Sequence, residues 1–259
     1  MNELLSRFGE EQVAGFILVL ARISPLFVLA PPFSSKMVPA RVKGVVAVGL
    51  TVGIAPIALR GADVPLDGLA LAALIAKELL VGAAFAYALA AVFAAVSTCG
   101  SLLDALIGFS FGALVDPVTG VNASLLAQVY ALVSVLVFLA IGGDAWVVQG
   151  LARTYDAVGL TAQPSIDSLV GGALDAFVGI FAAALELAAP VLLALVVTDA
   201  GFGIVSRVVP QFNVFAVALP AKVVIGLLVL IASLPFAAGW IADELQRSVG
   251  GALDVLRPA

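Results

Sequence analysis

The chain has 259 residues, of which 63% are hydrophobic and 11% charged, and its formal net charge is −5. Its mean hydropathy of +1.21 is far above that of soluble domains, so the sequence predicts an integral membrane protein. A single cysteine excludes an internal disulfide and a multi-cysteine metal site, and the absence of histidine disfavours zinc, haem and Ser-His-Asp chemistry. We therefore expect no enzyme, no cofactor and, since the charges are scattered, no nucleic-acid partner.

The first predicted element is the apolar run 13–30, which carries Arg22. We expect it to stop or bend at Pro31-Pro32, because proline lacks an amide hydrogen and has a fixed φ. A basic connector, residues 33–43, then leads into a second apolar run over about 42–59.

The third apolar stretch, residues 69–115, is about twice the length of one membrane span. It predicts a long helix with a weak point near residues 98–101, followed by a broken or re-entrant segment through Leu114. The pair Asp116-Pro117 predicts a turn before the next apolar run, 124–141.

The last part of the chain predicts an amphipathic segment and a helical hairpin. Residues 144–168 suit a membrane interface, with their aromatic side chains near the headgroups. The arms of the hairpin are expected at 169–197 and 214–241, followed by a frayed polar tail. The basic residues of the connector and of the tail give no consistent topology for six spans.

Six charged residues interrupt the apolar runs that follow residue 68. An unpaired charge at the bilayer centre costs at least about 2.5 kcal/mol, so each of these residues must be paired, hydrated or outside the lipid. Lys77 and Glu78 point about 100° apart on a helix, so we expect each to find a partner on another helix. The full set is Lys77, Glu78, Asp104, Asp175, Glu186 and Lys222.

Asp175 and Glu186 form an acidic stripe. Eleven residues return to nearly the same helical face after three turns, about 16 Å along the axis. The stripe is compatible with a proton or cation path, and equally with contacts to basic residues of neighbouring subunits, which we favour. A small proton-coupled secondary transporter is the alternative hypothesis.

Glycines at four-residue spacing, Gly49 with Gly53 and Gly108 with Gly112, are compatible with close helix packing or with chance in an Ala- and Gly-rich chain. Gly108 also opens the unusual segment 108–117, in which glycines flank bulky apolar residues. Such a segment can form a hydrophobic constriction in a pore or an ordinary buried helix end, and spacing alone favours the helix end.

Several short motifs occur in order along nearly the whole chain: Ala21-Arg22, Pro31-Pro32-Phe33, Pro39-Ala40-Arg41, Lys77-Glu78-Leu79-Leu80-Val81-Gly82, Asp116-Pro117, Pro210-Gln211-Phe212-Asn213-Val214-Phe215 and Leu219-Pro220-Ala221-Lys222. Together they resemble the FliR family of flagellar and type III secretion export-gate subunits. Each motif is weak by itself, and the combination is specific. The stretch around Pro210 favours a flagellar rather than a virulence-type system.

The resemblance implies an all-α, polytopic protein built from helical hairpins, with a FliP-like part over 1–165, a FliQ-like hairpin over 166–245 and a polar tail over 246–259. It implies a subunit that assembles with FliP-type and FliQ-type proteins beside FlhB-type and FlhA-type export components. The expected location is the bacterial inner membrane, in the flagellar basal body, with contacts to lipid and to unfolded protein substrates.

The resemblance also implies a plug in the loop before Asp116-Pro117. Phe111 and Leu114 are the residues expected to form the closed constriction, with Phe109 adjacent. Relatives often have a second phenylalanine where this chain has Leu114. The constriction expected here therefore keeps its apolar bulk but has one aromatic ring fewer.

Overall fold

The computed structural model describes residues 9–62, 64–109, 124–209 and 214–256. Within these ranges the chain folds into nine helices and no strand, which confirms the all-α prediction. The helices are α1 (Glu10–Ile23), α2 (Leu26–Leu29), α3 (Pro31–Ser34), α4 (Ala40–Ala58), α5 (Gly68–Ile107), α6 (Leu125–Ala140), α7 (Gly143–Ala157), α8 (Ile166–Val208) and α9 (Val214–Leu256).

The first apolar run ends where predicted, because Ala30 leaves the helical conformation with ψ 116° directly before Pro31-Pro32. Within the run, α1 ends at Ile23, and Ser24 and Pro25, both with helical backbone angles, lead into the single turn of α2. Pro31 then starts α3, where its missing amide hydrogen costs nothing at the first helical position.

Helices α1 and α4 form an antiparallel hairpin. The two helices pack together, and Gly15 near the start of α1 lies against the side chain of Leu59 just after α4. The connector of residues 35–39 therefore lies at the opposite end of the hairpin from Gly15. Helix α7 also packs on α4.

Helix α5 is continuous from Gly68 to Ile107, so the predicted weak point at residues 98–101 is wrong. Gly100 has a packing role instead: a Cβ there would lie 2.5 Å from the Cα of Ala127 in α6. The helix ends where Gly108 adopts φ 109°, a value that favours glycine.

The C-terminal region is also more ordered than the sequence predicted. Helix α9 continues to Leu256, so residues 246–256 are not a frayed tail. Leu256 is buried with Val81 and Val158, and Val249 lies beside Gly150 of α7. The apolar positions 245, 249, 252 and 256 recur at helical spacing, and the few charged residues between them concealed this pattern.

The chain packs as two compact units. Among the described residues, the first comprises residues 9–62, 64–91, 142–177 and 245–256, and the second residues 92–109, 124–141, 178–209 and 214–244. Five helical segments among the described residues are long and apolar enough to cross a membrane, and α6 with α7 adds a sixth candidate. The division into FliP-like and FliQ-like parts stays a prediction.

Candidate functional site

A buried ion pair joins α1 to α5 in the first unit. The guanidinium of Arg22 faces the carboxylate of Glu78. Its Nε donates a hydrogen bond to Oε2, and its Nη2 donates to Oε1 at 2.9 Å. Both side chains are fully buried. This bidentate geometry is the strongest arrangement available to an arginine and a carboxylate, and it fixes the relative orientation of the two helices.

Helix α7 closes the other side of the arginine. Nη1 of Arg22 donates to Oγ1 of Thr154 at 3.2 Å, and its Cζ lies 3.9 Å from the ring centroid of Tyr155. The stacked ring stabilises the cation without requiring a second anion. Tyr155 is thus buried within the chain, and the interfacial position expected for this segment stays a prediction.

Lys77 completes the cluster from the side. The expected partner on another helix is confirmed for Glu78, which pairs with Arg22 of α1. Lys77 pairs with its neighbour as well, since its Nζ lies 2.6 Å from Oε1 of Glu78. The helical directions do diverge, but a lysine side chain is long enough to bend back. Nζ also donates to the carbonyl oxygens of Gly159, Leu160 and Ala162 at 3.1, 2.7 and 3.2 Å.

The carbonyl oxygens that bind Lys77 stabilise the excess positive charge of the cluster. Two cations and one carboxylate leave one formal positive charge, and the carbonyls that accept from Lys77 come directly after α7, which ends at Ala157. The C-terminal end of a helix carries a partial negative charge, so the excess cation lies where it is stabilised.

Replacing Lys77 by methionine should destabilise the protein by about 2 kcal/mol, because a charged donor to three carbonyls is lost while the Arg22–Glu78 pair remains. The free energy of unfolding in detergent measures this effect. Lys222→Met is the matched control: its Nζ contacts the largely exposed Asp199, so a loss below about 1 kcal/mol is expected. Equal losses in both variants would contradict a special role for Lys77.

Gly82 allows this site to form. A Cβ at this position would lie 2.0 Å from the carbonyl oxygen of Arg22, so only glycine lets α5 approach the backbone of α1 so closely. Glu78 lies one turn earlier on the same helix face. The motif from Lys77 to Gly82 thus supplies the lysine that binds the carbonyl oxygens after α7, the carboxylate of the ion pair, and the glycine that lets α5 touch α1.

The charged residues of the second unit also have partners within the chain. Oδ1 of Asp104 accepts the amide hydrogen of Leu126 at 3.2 Å, at the start of α6. Nζ of Lys222 lies 2.7 Å from Oδ2 of Asp199. Together with Lys77 and Glu78, four of the six predicted charges are thus neutralised or bonded without another subunit.

Asp175 and Glu186 differ from the other four. Both side chains are exposed along α8, among exposed apolar side chains such as Phe181 and Leu185. Neither forms an ion pair within the residues that the structure describes. Contact with other subunits stays a prediction. It has more support for Asp175 and Glu186 than for the four charged residues that have partners within the chain.

The predicted plug lies mostly outside the described residues. Phe111 and Leu114 fall between residues 110 and 123, and of the three plug residues only Phe109 is described. Phe109 is half-buried and donates its amide hydrogen to the carbonyl oxygen of Asp104 at 3.1 Å, directly after the glycine that ends α5. In the described part of the chain, no group of three or more potential metal ligands converges.

Sequence reasoning singled out Lys77 and Glu78 but gave no role to Arg22, Thr154 or Tyr155. Arg22 was present as a charge inside an apolar run, and it could have been included among the embedded charges on that ground alone. Thr154 and Tyr155 carry no such signal, because their role depends on where α7 packs.

Comparison with known proteins shows the family of the chain. The family model "Bacterial export proteins, family 1" matches residues 13–248. The chain is 31% identical to the flagellar biosynthetic protein FliR of Bacillus subtilis (strain 168), covering 89% of this chain and 88% of that one. It is 30% identical to the FliR of Escherichia coli (strain K12), with 85% and 84% covered. It is 28% identical to the surface presentation of antigens protein SpaR of Salmonella typhimurium, with 85% and 82% covered. The chain belongs to the FliR family of bacterial export proteins.

Proposed function

We propose that this chain is a non-enzymatic subunit of the flagellar type III export gate, in which it forms part of the channel for unfolded substrates. Its family membership makes it a component of a bacterial export apparatus, and its apolar helices make it a membrane protein. The flagellar assignment is supported by relatives named flagellar biosynthetic proteins at 30% and 31% identity.

The observation that carries the proposal is the uncovered surface of the long helices. In α8 and α9, only 28% and 11% of the most apolar window are buried within the chain. Lipid alone could cover apolar side chains, but α8 exposes Asp175 and Glu186 on the same surface. Because a carboxylate in hydrocarbon is costly, a protein neighbour with matching cations is the better cover.

The position of Glu186 strengthens this argument. It lies near the middle of the 43-residue α8, about 30 Å from either end at 1.5 Å per residue. A single bilayer core is about 30 Å thick, so a helix of this length extends well beyond one and suits a tall assembly of subunits. We propose FliP-type and FliQ-type subunits as the neighbours, with FlhB-type and FlhA-type components beside them.

The proposed location is the inner membrane, within the flagellar basal body. A gate at this place must stop ions while it is closed. We propose that Phe111, with Leu114 and the adjacent Phe109, supplies an apolar constriction that excludes water and moves aside for a polypeptide. Phe109 lies next to Gly108, whose positive φ follows the end of α5, directly before the segment of the proposed plug.

Replacing Phe111 by alanine should raise ion leakage through the assembled complex at least severalfold while the subunits still copurify, because the apolar seal loses its bulk. Conductance of the reconstituted complex in planar bilayers measures the effect. Phe111→Leu keeps the apolar bulk and should leak much less. Leu114→Phe adds the aromatic ring that relatives often have and should reduce any residual leakage. Unchanged conductance in an assembled Phe111→Ala complex would overturn the plug.

The secondary transporter gains no support from the geometry. Asp175 and Glu186 lie on the exposed surface of α8 rather than facing an interior path through this chain. The transporter predicts that the purified chain alone moves a solute in liposomes and that Glu186→Gln abolishes this activity. The gate subunit predicts no such transport.

A further inference from the structure

One end of the α1–α4 hairpin carries a cluster of cations that the gate does not explain. Lys36 and Arg41 are exposed at the entrance to α4, on either side of its N-cap residue, Pro39. Lys43 is held against this corner, because its Nζ donates to the carbonyl oxygen of Ser34 at 2.7 Å. We call Lys36, Arg41 and Lys43 the basic corner.

Nothing nearby along the chain neutralises the basic corner. The first turn of α4 contains no acidic residue, and neither Lys36 nor Arg41 forms an ion pair within the described ranges. The N-terminal end of α4 adds a partial positive charge of the same sign. The corner therefore attracts an anion from outside the chain.

Apolar side chains adjoin the cations in a definite order. Met37, between the two exposed cations, has 93% of its surface accessible, and Val42 and Val45 follow on the first turns of α4 with 48% and 71%. Further along, Val48 and Val52 are exposed as well. The cations at the start of α4 are thus followed along this helix by a strip of exposed apolar side chains.

The length of α4 matches one bilayer core. Its 19 residues extend about 28 Å, close to the roughly 30 Å of hydrocarbon in a membrane. Only 17% of this apolar helix is buried within the chain, although α1 and α7 pack on it. In a bilayer crossed by α4, the basic corner at one end of the helix would lie at the depth of the headgroups.

We propose that the basic corner binds the headgroup of an anionic phospholipid, whose acyl chains lie along the exposed valines of α4. Phosphate fits the two free cations, and the apolar strip fits the chains attached to it. An acidic protein partner would account for the cations alone. The lipid accounts for both the cations and their continuation into an apolar surface.

The test uses the full chain, purified with the subunits that copurify with it, in nanodiscs that contain phosphatidylglycerol and phosphatidylcholine. Native mass spectrometry after mild release measures how much phosphatidylglycerol each complex retains. Removing two cations by Lys36→Gln/Arg41→Gln should lower this retention roughly 10- to 30-fold, because each basic residue at the membrane surface contributes about 1 kcal/mol. Both side chains are exposed, so the fold should be unaffected.

Arg60 supplies the matched control. It is an exposed cation just beyond the other end of the same helix, and Arg60→Gln removes a charge without touching the basic corner. Retention should fall at most about fivefold in this variant, the loss expected for one isolated cation at the opposite headgroup level. Equal retention in the double variant and the wild type would overturn the proposal, as would an equal loss in Arg60→Gln. Loss of a copurifying subunit with lipid retained would assign the corner to a protein partner instead, and would also overturn it.

Discussion

Replacing Glu78 by glutamine should destabilise the protein by about 3–5 kcal/mol, because the neutral amide keeps the shape of the side chain but leaves two cations without their shared anion. Arg22 is fully buried and stays charged, so its charge cannot be relieved by loss of a proton. Removing one partner of a buried ion pair costs far more free energy than the intact pair contributes to stability. We expect less folded Glu78→Gln protein in the membrane and weaker assembly than for the wild type.

Denaturant unfolding of the detergent-solubilised protein measures this loss. Cys99 is the only cysteine of the chain and is buried, so its reaction with a thiol reagent reports unfolding without a label. Helicity supplies the second, independent signal. Asp199→Asn, which neutralises the partly exposed pair with Lys222, is the matched control and should cost less than about 1 kcal/mol.

A double variant separates the pair from the shape of the site. Arg22→Met/Glu78→Met removes both charges and keeps much of their volume, and it should be at least about 2 kcal/mol more stable than Glu78→Gln. Lys77 keeps its three carbonyl acceptors in this variant. A double variant as unstable as the single one would show that the cost arises from packing rather than from an unpaired charge.

The lengths of the apolar runs predict the main helices. They do not predict where a helix is interrupted or which helices contact each other. The run 42–59 and the observed α4 agree to within two residues at each end, because a buried or lipid-facing helix needs only continuous apolar sequence. The run 13–30 also ends where predicted, with an extended Ala30 before Pro31-Pro32, but Pro25 interrupts its helix after Ile23. Run length does not reveal this interruption, because the apolar sequence continues across Pro25.

The charge cluster shows a second limit of sequence reasoning. A helical projection gives the directions of Cβ atoms, but the four methylene groups of Lys77 let its Nζ reach Glu78 despite diverging directions. The partners of the cluster come from positions 22, 78 and 154. No spacing rule connects residues so far apart, and only the packing of three helices brings them together.

Glycine spacing gave a similar outcome. The pattern of Gly49 and Gly53 resembles a helix contact motif, yet a Cβ at either residue would meet nothing within 4 Å in this chain. Gly82 and Gly100 belong to no such pattern, and both lie against the backbone of another helix. The exposed face of α4 at Gly49 and Gly53 is therefore left for lipid or another subunit, and the tight joints inside the chain are made by single glycines.

Replacing Gly82 by alanine should accordingly destabilise the protein by about 3 kcal/mol or more, because the new Cβ would lie 2.0 Å from the carbonyl oxygen of Arg22. A backbone atom cannot rotate away, so α5 must move from α1 and lengthen the bonds between Glu78 and Arg22. Gly49→Ala is the matched control and should have the opposite sign, a gain of up to about 1 kcal/mol, because alanine favours the helix and meets no neighbour in the chain. The free energies of unfolding of both variants, measured by the reactivity of Cys99, test this contrast. A Gly82→Ala protein as stable as the wild type would show that the close contact between α1 and α5 is not needed to hold the ion pair.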